Sequence, residues 1–340
     1  MGALKTAAVC AAVMAFSATL APVHADDFYK DKTINFIIPS AAGGGYDAYS
    51  RLIANHIGRH LPGQPNVVPQ NMPGAGSIRA TNFLYNVAPK DGTTIGMVDQ
   101  AIHLNQILGE SELKADVAKF NWIGRILSNS AVLFAWHDAP VKTIQDAFSK
   151  ELIVSTSGAA SRLNWTVLKN LLGMKFRIIT GYKGTADSRL AMERGEVHAL
   201  SMPWSLLKIE GAELLGEKKI NLLLQTGADK HPELPQVPRM IDLARTDAER
   251  KVLELFSSPS TIGRSVLAPP GLPTERVVAL RAAFMASIKD PALLADVKKF
   301  KLELDPLSGE QLQASIAGSE TFPPALIERA RQVAEVKAKK

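Results

Sequence analysis

A strand-like segment that ends in three consecutive glycines and then becomes helical is the strongest constraint on how this chain folds. Residues 33–39 read TINFIIP, which is typical of a strand, and residues 46–61 space their apolar side chains as a helix does. Gly43, Gly44 and Gly45 lie between the two segments, so the chain reverses where side chains are nearly absent. A molecule bound at such a turn has to contact backbone N–H groups, which are unpaired at the start of a helix.

The same order of strand, small-residue turn and helix recurs in the second half of the chain. Residues 152–173 and 175–203 both begin with β-forming residues and continue into a helical pattern. Strands that alternate with helices predict parallel-rich α/β sheets, with binding sites at the carboxyl ends of the strands. We therefore predict two similar lobes with a cleft between them. The first lobe would comprise residues 26–130 plus 261–340, and the second would comprise residues 131–260.

The first 25 residues are predicted to be a signal peptide that does not belong to the fold. Lys5 precedes a small, apolar stretch over residues 6–21, and Val23-His24-Ala25 carries small residues where a signal peptidase cleaves. A retained membrane anchor is the alternative, but the segment has neither a polar face nor flanking stop-transfer charges. We expect cleavage after Ala25 and export of the mature chain.

Cysteine content and charge argue against several classes of function. Cys10 is the only cysteine and lies in the segment predicted to be removed, so the mature chain would have no thiol chemistry and no disulfide. The chain has 39 Lys+Arg against 33 Asp+Glu, and the basic residues are interleaved with acids. This pattern argues against binding of nucleic acid and allows mild steering of small anions.

The glycine turn has three interpretations. Unpaired N–H groups and the helix dipole at Gly43–Tyr46 would make an anion site. The stretch GGGYDA formally fits a dinucleotide-binding fingerprint, but no carboxylate follows the strand ending in residues 67–71, where one would have to bind the ribose. A tight turn that only needs positive φ is the third. Similar turns at residues 73–77, 155–161 and 181–185 favour the anion site, because several such ends would converge on one cleft.

Together these motifs resemble the solute-binding proteins of tripartite tricarboxylate transporters, also called the Bordetella uptake family. The matching stretches follow the family order and cover nearly the whole mature chain: IPSAAGGGYDAYSRLIA, NMPGAGSIRATNFLYNVAPKDGTTIG, FNWIGRI, VSTSGAASRLNW, GYKGTADSRLAMERGEVHAL, LLLQTGADKHPELPQVP and VLAPPGLPTERVVALRAAF. The resemblance implies a two-lobed α/β periplasmic binding protein, type II-like, that closes like a flytrap on a small organic acid. Such proteins deliver their ligand to the subunits of a membrane permease. We further expect a monomer without cofactor, metal or catalytic residues.

The resemblance also implies which residues bind the ligand. In the first turn, one ligand carboxylate would be bound through backbone amides and water by Ser40, Ala42, Gly43, Gly44, Gly45, Tyr46 and Asp47. The other end of the ligand would be bound by Ser157, Gly158, Ala159 and Ser161. The family's aromatic, basic and glycine turn near the cleft is matched by Tyr182, Lys183 and Gly184.

Three departures from the family pattern extend the candidate ligands from small dicarboxylates to an aromatic or larger acid. Tyr46 replaces a small hydroxyl residue and would narrow the pocket or stack on a ring. Arg162 replaces a common histidine, and it either pairs with a second carboxylate or faces away on the helix surface. Met202-Pro203-Trp204 replaces a polar stretch, with Trp204 expected in the cleft wall. For Asp47 we expect a role at the helix dipole before one in ligand contact.

Patterns for catalysis and metal binding are incomplete. His56 and His60 have the i, i+4 spacing of some zinc ligands, but no third ligand lies near them in the sequence. The nucleophile elbow G-x-S-x-G and the P-loop are absent from the sequence. An exported hydrolase would use Ser157 or Ser161 as nucleophile, although neither has an evident base. A soluble sensor subunit of a signalling system is a further alternative, because it would use the same cleft.

Overall fold

The computed structural model describes residues 27–156, 159–182, 185–318 and 322–335, and in these ranges strands alternate with helices. The first part of the chain contains β1 (Thr33–Ile38), α1 (Gly45–Ile57), β2 (Asn66–Asn71), α2 (Ile78–Asn86), β3 (Thr94–Met97), α3 (Ile102–Ile107) and β4 (Asn121–Leu127). The middle contains β5 (Ala131–Trp136), β6 (Leu152–Ser155), α4 (Ala159–Leu172), β7 (Phe176–Ile179), α5 (Thr185–Glu193), β8 (Ala199–Pro203), α6 (Trp204–Glu210), α7 (Ala212–Gly216), β9 (Ile220–Gln225), α8 (Asp247–Ser257) and α9 (Pro259–Ile262). The last part contains β10 (Arg264–Ala268), α10 (Thr274–Ile288), α11 (Pro291–Lys299), β11 (Leu307–Ser308), α12 (Gly309–Gly318) and α13 (Pro324–Ala334).

The strands form two sheets, one in each lobe, which confirms the predicted two-lobed α/β architecture. The first sheet has the order β11-β4-β10-β3-β1-β2 and the second has the order β7-β6-β8-β5-β9. Among the strands of the described ranges, β1 pairs in parallel with β2 and β3, and β6 pairs in parallel with β7 and β8. The sheets are therefore mixed and not parallel-rich as predicted. The reason is that β5 and β10 enter each sheet from the other lobe and pair antiparallel with their neighbours.

Helices cover both faces of the first sheet. Alternate side chains of a strand point to opposite faces, so neighbouring residues of β1 pack against different helices. Phe36 of β1 packs in one buried cluster with Ile53 of α1 and Phe284 of α10. Its neighbour Ile37 belongs to a second cluster with Leu84 of α2. The carboxyl end of β1 is thus held between two packed layers, which positions the glycine turn that follows it.

The chain passes between the lobes at residues 128–130, and again at residues 258–263 as it returns to the first sheet. Beyond α12, residues 319–321 lie outside the described ranges, and α13 then packs against the second lobe. Ala330 and Val333 of α13 share a buried cluster with Leu168 of α4 and Leu253 of α8. The C-terminal helix, which the sequence assigned to the first lobe, therefore contacts helices of the second. The residue bounds of the two lobes stay a prediction.

The segment predicted to be a signal peptide, residues 1–25, lies outside the described residues. Across the described part of the chain, no helix combines the length and the apolar character needed to cross a membrane.

Candidate functional site

A cavity of about 400 Å³ lies between the two lobes, next to the connection at residues 128–130. Its first-lobe wall includes Gly76, Asp99 and Gln100, which follow β2 and β3. Its second-lobe wall comes from the first turns of α4 and α5 and from the end of β8, and includes Ser161, Thr185, Ser201 and Met202. Strand carboxyl ends and helix N-termini therefore meet at this cavity, as expected of a ligand site in an α/β fold.

The glycine turn of the first lobe is closed by its own aspartate. Gly43 has φ +88° and donates its N–H to Asp47 Oδ2 over 3.0 Å. Asp47 Oδ1 accepts hydrogen bonds from Asn71 Nδ2 at 2.9 Å and from Arg51 Nε at 3.0 Å, and Asn71 also donates to the carbonyl oxygen of Ser40. Arg51 is the main cause that lowers the pKa of Asp47 to about 2. One amide donor that we predicted for the ligand is thus used inside the protein.

Tyr46 lies behind the cavity wall. Its hydroxyl oxygen accepts a hydrogen bond of 2.9 Å from the N–H of Gln100, and Gln100 lines the cavity. Burial raises the pKa of Tyr46, so its hydroxyl stays protonated. The side chain therefore supports the turn after β3, and the expectation that Tyr46 narrows the pocket or stacks on a ligand ring finds no support in this geometry.

Asp99 is the acidic side chain of the cavity wall. Its Oδ1 accepts the N–H of Ala101 over 2.9 Å, and its own N–H donates to Ser77 Oγ over 2.9 Å. Burial raises the pKa of Asp99, against the opposing effects of the Ala101 N–H, the Tyr46 hydroxyl and Arg264. Asp99 therefore places in this wall a carboxyl group whose ionisation responds to burial and to the neighbouring charge.

Arg264, the first residue of β10, is buried beneath the glycine turn with an exposed fraction of 7%. Its guanidinium carbon lies 4.7 Å from the centre of the Tyr46 ring and 5.2 Å from that of Tyr49. A Cβ on Gly45 would come within 2.4 Å of Arg264 Nη2, so the guanidinium packs against the first residue of α1. Sequence reasoning missed Arg264; the available signal was a single charged residue in the otherwise uncharged strand RSVLA.

The comparisons with known proteins agree with this geometry. The family model described as "Tripartite tricarboxylate transporter family receptor", TctC, matches residues 50–329. This chain belongs to the TctC family. The predicted family resemblance is therefore confirmed.

Individual relatives of this TctC receptor are distant. A UPF0065 protein of Agrobacterium vitis is 26% identical over 192 residues, which are 53% of this chain and 54% of the relative. The match thus spans about half the length of that relative. A TctC solute-binding protein from Polaromonas, solved without ligand, has a TM-score of 0.65 at 20% identity, with 90% of this chain and 99% of that chain covered.

Two further solved structures with the same fold carry ligands. A protein of R. palustris solved with adipate has a TM-score of 0.62 and 22% identity over 90% of this chain and 97% of that one. MatC from Rhodopseudomonas palustris, solved with malate, has a TM-score of 0.61 and 20% identity over 89% of this chain and 99% of that one. At these identities the likeness shows the fold of the TctC receptor.

The second-lobe residues that we predicted to bind the ligand fall into three groups according to their position in the structure. Ser161 lies in the cavity wall, and Ala159 begins α4. Tyr182 is half-buried against the second lobe's core. The remaining four residues of this prediction lie outside the described residues; they are Ser157, Gly158, Lys183 and Gly184.

Arg162 faces away from the cavity. It is exposed and lines a groove of about 340 Å³ together with Lys169 and Arg177. Of the two roles considered for Arg162, the helix-surface position is the one observed. Adjacent helical residues differ by about 100° in direction, so Ser161 points into the cavity while Arg162 does not.

The other residues that we predicted in the first turn can offer a ligand mainly their backbone groups. Ala42, Gly43, Gly44 and Gly45 are exposed, and the Ser40 hydroxyl bonds to the neighbouring carbonyl of Ala41 over 3.2 Å. Of the departures at the end of β8, Met202 and Pro203 line the cavity. Trp204 is buried in the second-lobe core, and its Nε1 donates to Glu233 Oε2 over 2.6 Å.

The two spaced histidines have structural partners. His56 Nε2 lies 2.9 Å from Asp296 Oδ2, and His60 Nε2 lies 2.9 Å from Asp290 Oδ2. The first pair joins α1 to α11. The second joins the short 3-10 helix that follows α1, Gly58–His60, to the residue directly before α11. Within the residues that the structure describes, no group of three or more potential ligands is arranged to hold a metal ion.

Proposed function

We propose that this TctC receptor is a periplasmic solute-binding protein that captures a small carboxylate and presents it to the permease of a tripartite tricarboxylate transporter. The observation that carries the proposal is the cavity between the lobes, where α4 and α5 begin and where Ser161, Thr185 and Ser201 contribute hydroxyl groups. Helix N-termini stabilise anions through unpaired N–H groups and the helix dipole. A site built in this way neutralises a carboxylate largely with fixed dipoles.

The ligand class follows from the same cavity. A volume of about 400 Å³ is at the lower end of the range for small-molecule sites, which favours a di- or tricarboxylate or a single-ring aromatic acid. Adipate and malate in two solved proteins of this fold are dicarboxylates, and they support an acid of this size. Because Arg162 is outside the cavity, it provides no reason to prefer an acid with an additional charged group.

Capture would proceed by rotation of the lobes about residues 128–130 and 258–263, where the chain passes between the sheets. The donors lie on rigid helix and strand ends, so little conformational entropy is lost when the ligand binds. The closed form then presents a surface that the permease recognises. In this proposal the mature chain, cleaved after Ala25, is a periplasmic monomer that returns its ligand chemically unchanged.

The test uses the mature chain, residues 26–340, purified and denatured so that mass spectrometry identifies any small molecule that it retains. A thermal-shift panel then compares malate, adipate, citrate and benzoate with the neutral amides of the same acids. We expect at least one acid to raise the melting temperature while its amide does not. A panel in which no carboxylate stabilises the protein would contradict the proposed ligand class.

Two controls separate the alternatives. A sensor subunit would be captured with a membrane kinase and not with permease subunits when the tagged protein is purified from its native membrane. An exported hydrolase would convert a bound ester or amide, and chromatography of the ligand before and after incubation detects this conversion.

A further inference from the structure

Arg264 is a buried cation whose charge is poorly compensated by the groups around it. Its Nε and Nη1 atoms are buried and have no hydrogen-bond partner within the described residues. None of the ion pairs of the described ranges includes Arg264, and its guanidinium packs instead between the rings of Tyr46 and Tyr49. A buried charge without a partner is costly, so its presence requires an explanation.

The surroundings of Arg264 add positive potential at the same place. The guanidinium contacts Gly45, the first residue of the 13-residue helix α1, and a helix N-terminus carries a partial positive charge of its own. Asp47, the acid of this turn, is already bound to Arg51, Asn71 and the Gly43 N–H. Two positive sources therefore meet behind the glycine turn.

Asp99 interacts electrostatically with Arg264, but the two side chains form no ion pair within the described residues. Burial raises the pKa of Asp99 against the opposing effect of Arg264, and its Oδ1 accepts the N–H of Ala101. Asp99 also lines the cavity, and Tyr46 bonds to Gln100 of the same wall. Arg264 thus lies one layer of side chains behind the first-lobe wall, where salt screens its field only weakly.

We propose that Arg264 is a positioning residue that determines specificity for anions, because its buried charge is fully balanced only when a negatively charged ligand group lies against the first-lobe wall. This inference rests on the proposed function and names the source of its charge selectivity. Arg162, one of the two cationic residues predicted for the ligand site, is exposed on the surface of α4 outside the cavity and does not supply this charge. The protein would gain ligand affinity from Arg264 and lose stability of the ligand-free form.

The experiment compares Arg264→Met and Arg264→Gln, which remove the charge, with Arg264→Lys, which keeps it, and with Arg162→Met as the matched surface control. Calorimetric titration with malate and adipate at low and high salt measures affinity, and thermal unfolding without ligand measures stability. We expect Arg264→Met to bind whichever of malate and adipate the wild type prefers at least about tenfold more weakly, because the ligand anion loses a nearby buried positive charge. Arg264→Lys should remain within about threefold of the wild type, and Arg162→Met should be unchanged.

The ligand-free melting temperature provides the readout that a structural role would not give. Removing an unpaired buried charge should raise it by about 2 °C or more in Arg264→Met. A lower melting temperature in both Arg264→Met and Arg264→Gln, or failure of both to fold, would overturn the inference and assign Arg264 to the core. Unchanged affinity in folded Arg264→Met would also overturn it. If the wild type binds no acid of the panel, the proposed function fails, while the melting temperatures still decide whether the buried charge is unfavourable.

Discussion

Two cavities lie on either side of the connection between the lobes, and they differ in how their polar groups are paired. Asn129 and Ala131 border the candidate ligand cavity, whereas Ser128 and Ser130 border a second cavity of about 600 Å³. In the second, larger cavity several of the charged side chains form ion pairs with one another. Lys208 of the second lobe forms ion pairs with Glu233 and with Glu303 of the first lobe.

The comparison shows that cavity size alone does not identify a ligand site. The larger cavity is bordered by Arg125 paired with Asp305 and by Lys208 paired with two glutamates, so a ligand would have to displace existing ion pairs. The smaller cavity is bordered by helix N-termini and hydroxyl groups, which bind anions as hydrogen-bond donors. The following variants test this difference in order of expected effect.

The largest effect is expected from blocking the smaller cavity. Ser161→Trp places a bulky side chain into it from the first turn of α4, and we expect at least about a hundredfold loss of affinity for the acid found in the panel. Asp229→Trp blocks the larger cavity and is the matched control, for which we expect less than about a threefold change. Equal losses of affinity in the two variants, measured by calorimetric titration, would show that the ligand does not distinguish the cavities.

The next effect concerns the aspartate that closes the glycine turn. Because the pKa of Asp47 is lowered to about 2, its stabilising contribution is present above the ordinary carboxyl pKa of 3.8 and is lost as the pH falls toward 2. Asp47→Asn should therefore lower the free energy of unfolding by about 2 kcal/mol at pH 7 and by much less near pH 2. Urea unfolding at both pH values measures this difference, and a pH-independent difference would contradict the assigned charge interaction.

A smaller effect is expected from displacing Arg264 without changing it. A Cβ on Gly45 would lie 2.4 Å from Arg264 Nη2, whereas a Cβ on Gly44 would meet its nearest atom, Ser40 Oγ, at 4.0 Å. We expect Gly45→Ala to weaken ligand binding by about tenfold through the shifted guanidinium, and Gly44→Ala to change it by less than about threefold. If Gly45→Ala and Gly44→Ala bind the ligand with equal affinity, the position of Arg264 does not affect ligand binding.

The smallest effect on affinity is expected in the larger cavity. Lys208→Met removes the ion pairs with Glu233 and Glu303, and we expect a loss of about 1 kcal/mol in the free energy of unfolding, because the lysine is partly exposed. Ligand affinity should change by less than about threefold. If Lys208→Met loses more free energy of ligand binding than free energy of unfolding, this ion pair controls the movement of the lobes.

Local patterns along the chain were enough to predict the alternation of strands and helices, the two lobes and the family. Local periodicity and turn residues encode these features, so TINFIIP followed by three glycines already implied a strand, a turn and a helix whose N-terminus is open to an anion. The motifs that resemble the TctC receptors run along the whole chain and need no knowledge of contacts. The candidate cavity could therefore be assigned to the ends of the strands, although not to its side chains.

Which side chains meet at the cavity depends on packing between distant parts of the chain. The rotation of α4 about its axis directs Ser161 toward the cavity and Arg162 away from it, and packing against the sheet sets that rotation. Likewise, β10 carries Arg264 beneath the first residues of α1, more than 200 positions earlier in the chain, by pairing beside β3. Such contacts depend on the order of strands in a sheet and on helix orientation, which are set by long-range packing. The single charge in RSVLA marks Arg264 as unusual, but it does not indicate which residues Arg264 contacts.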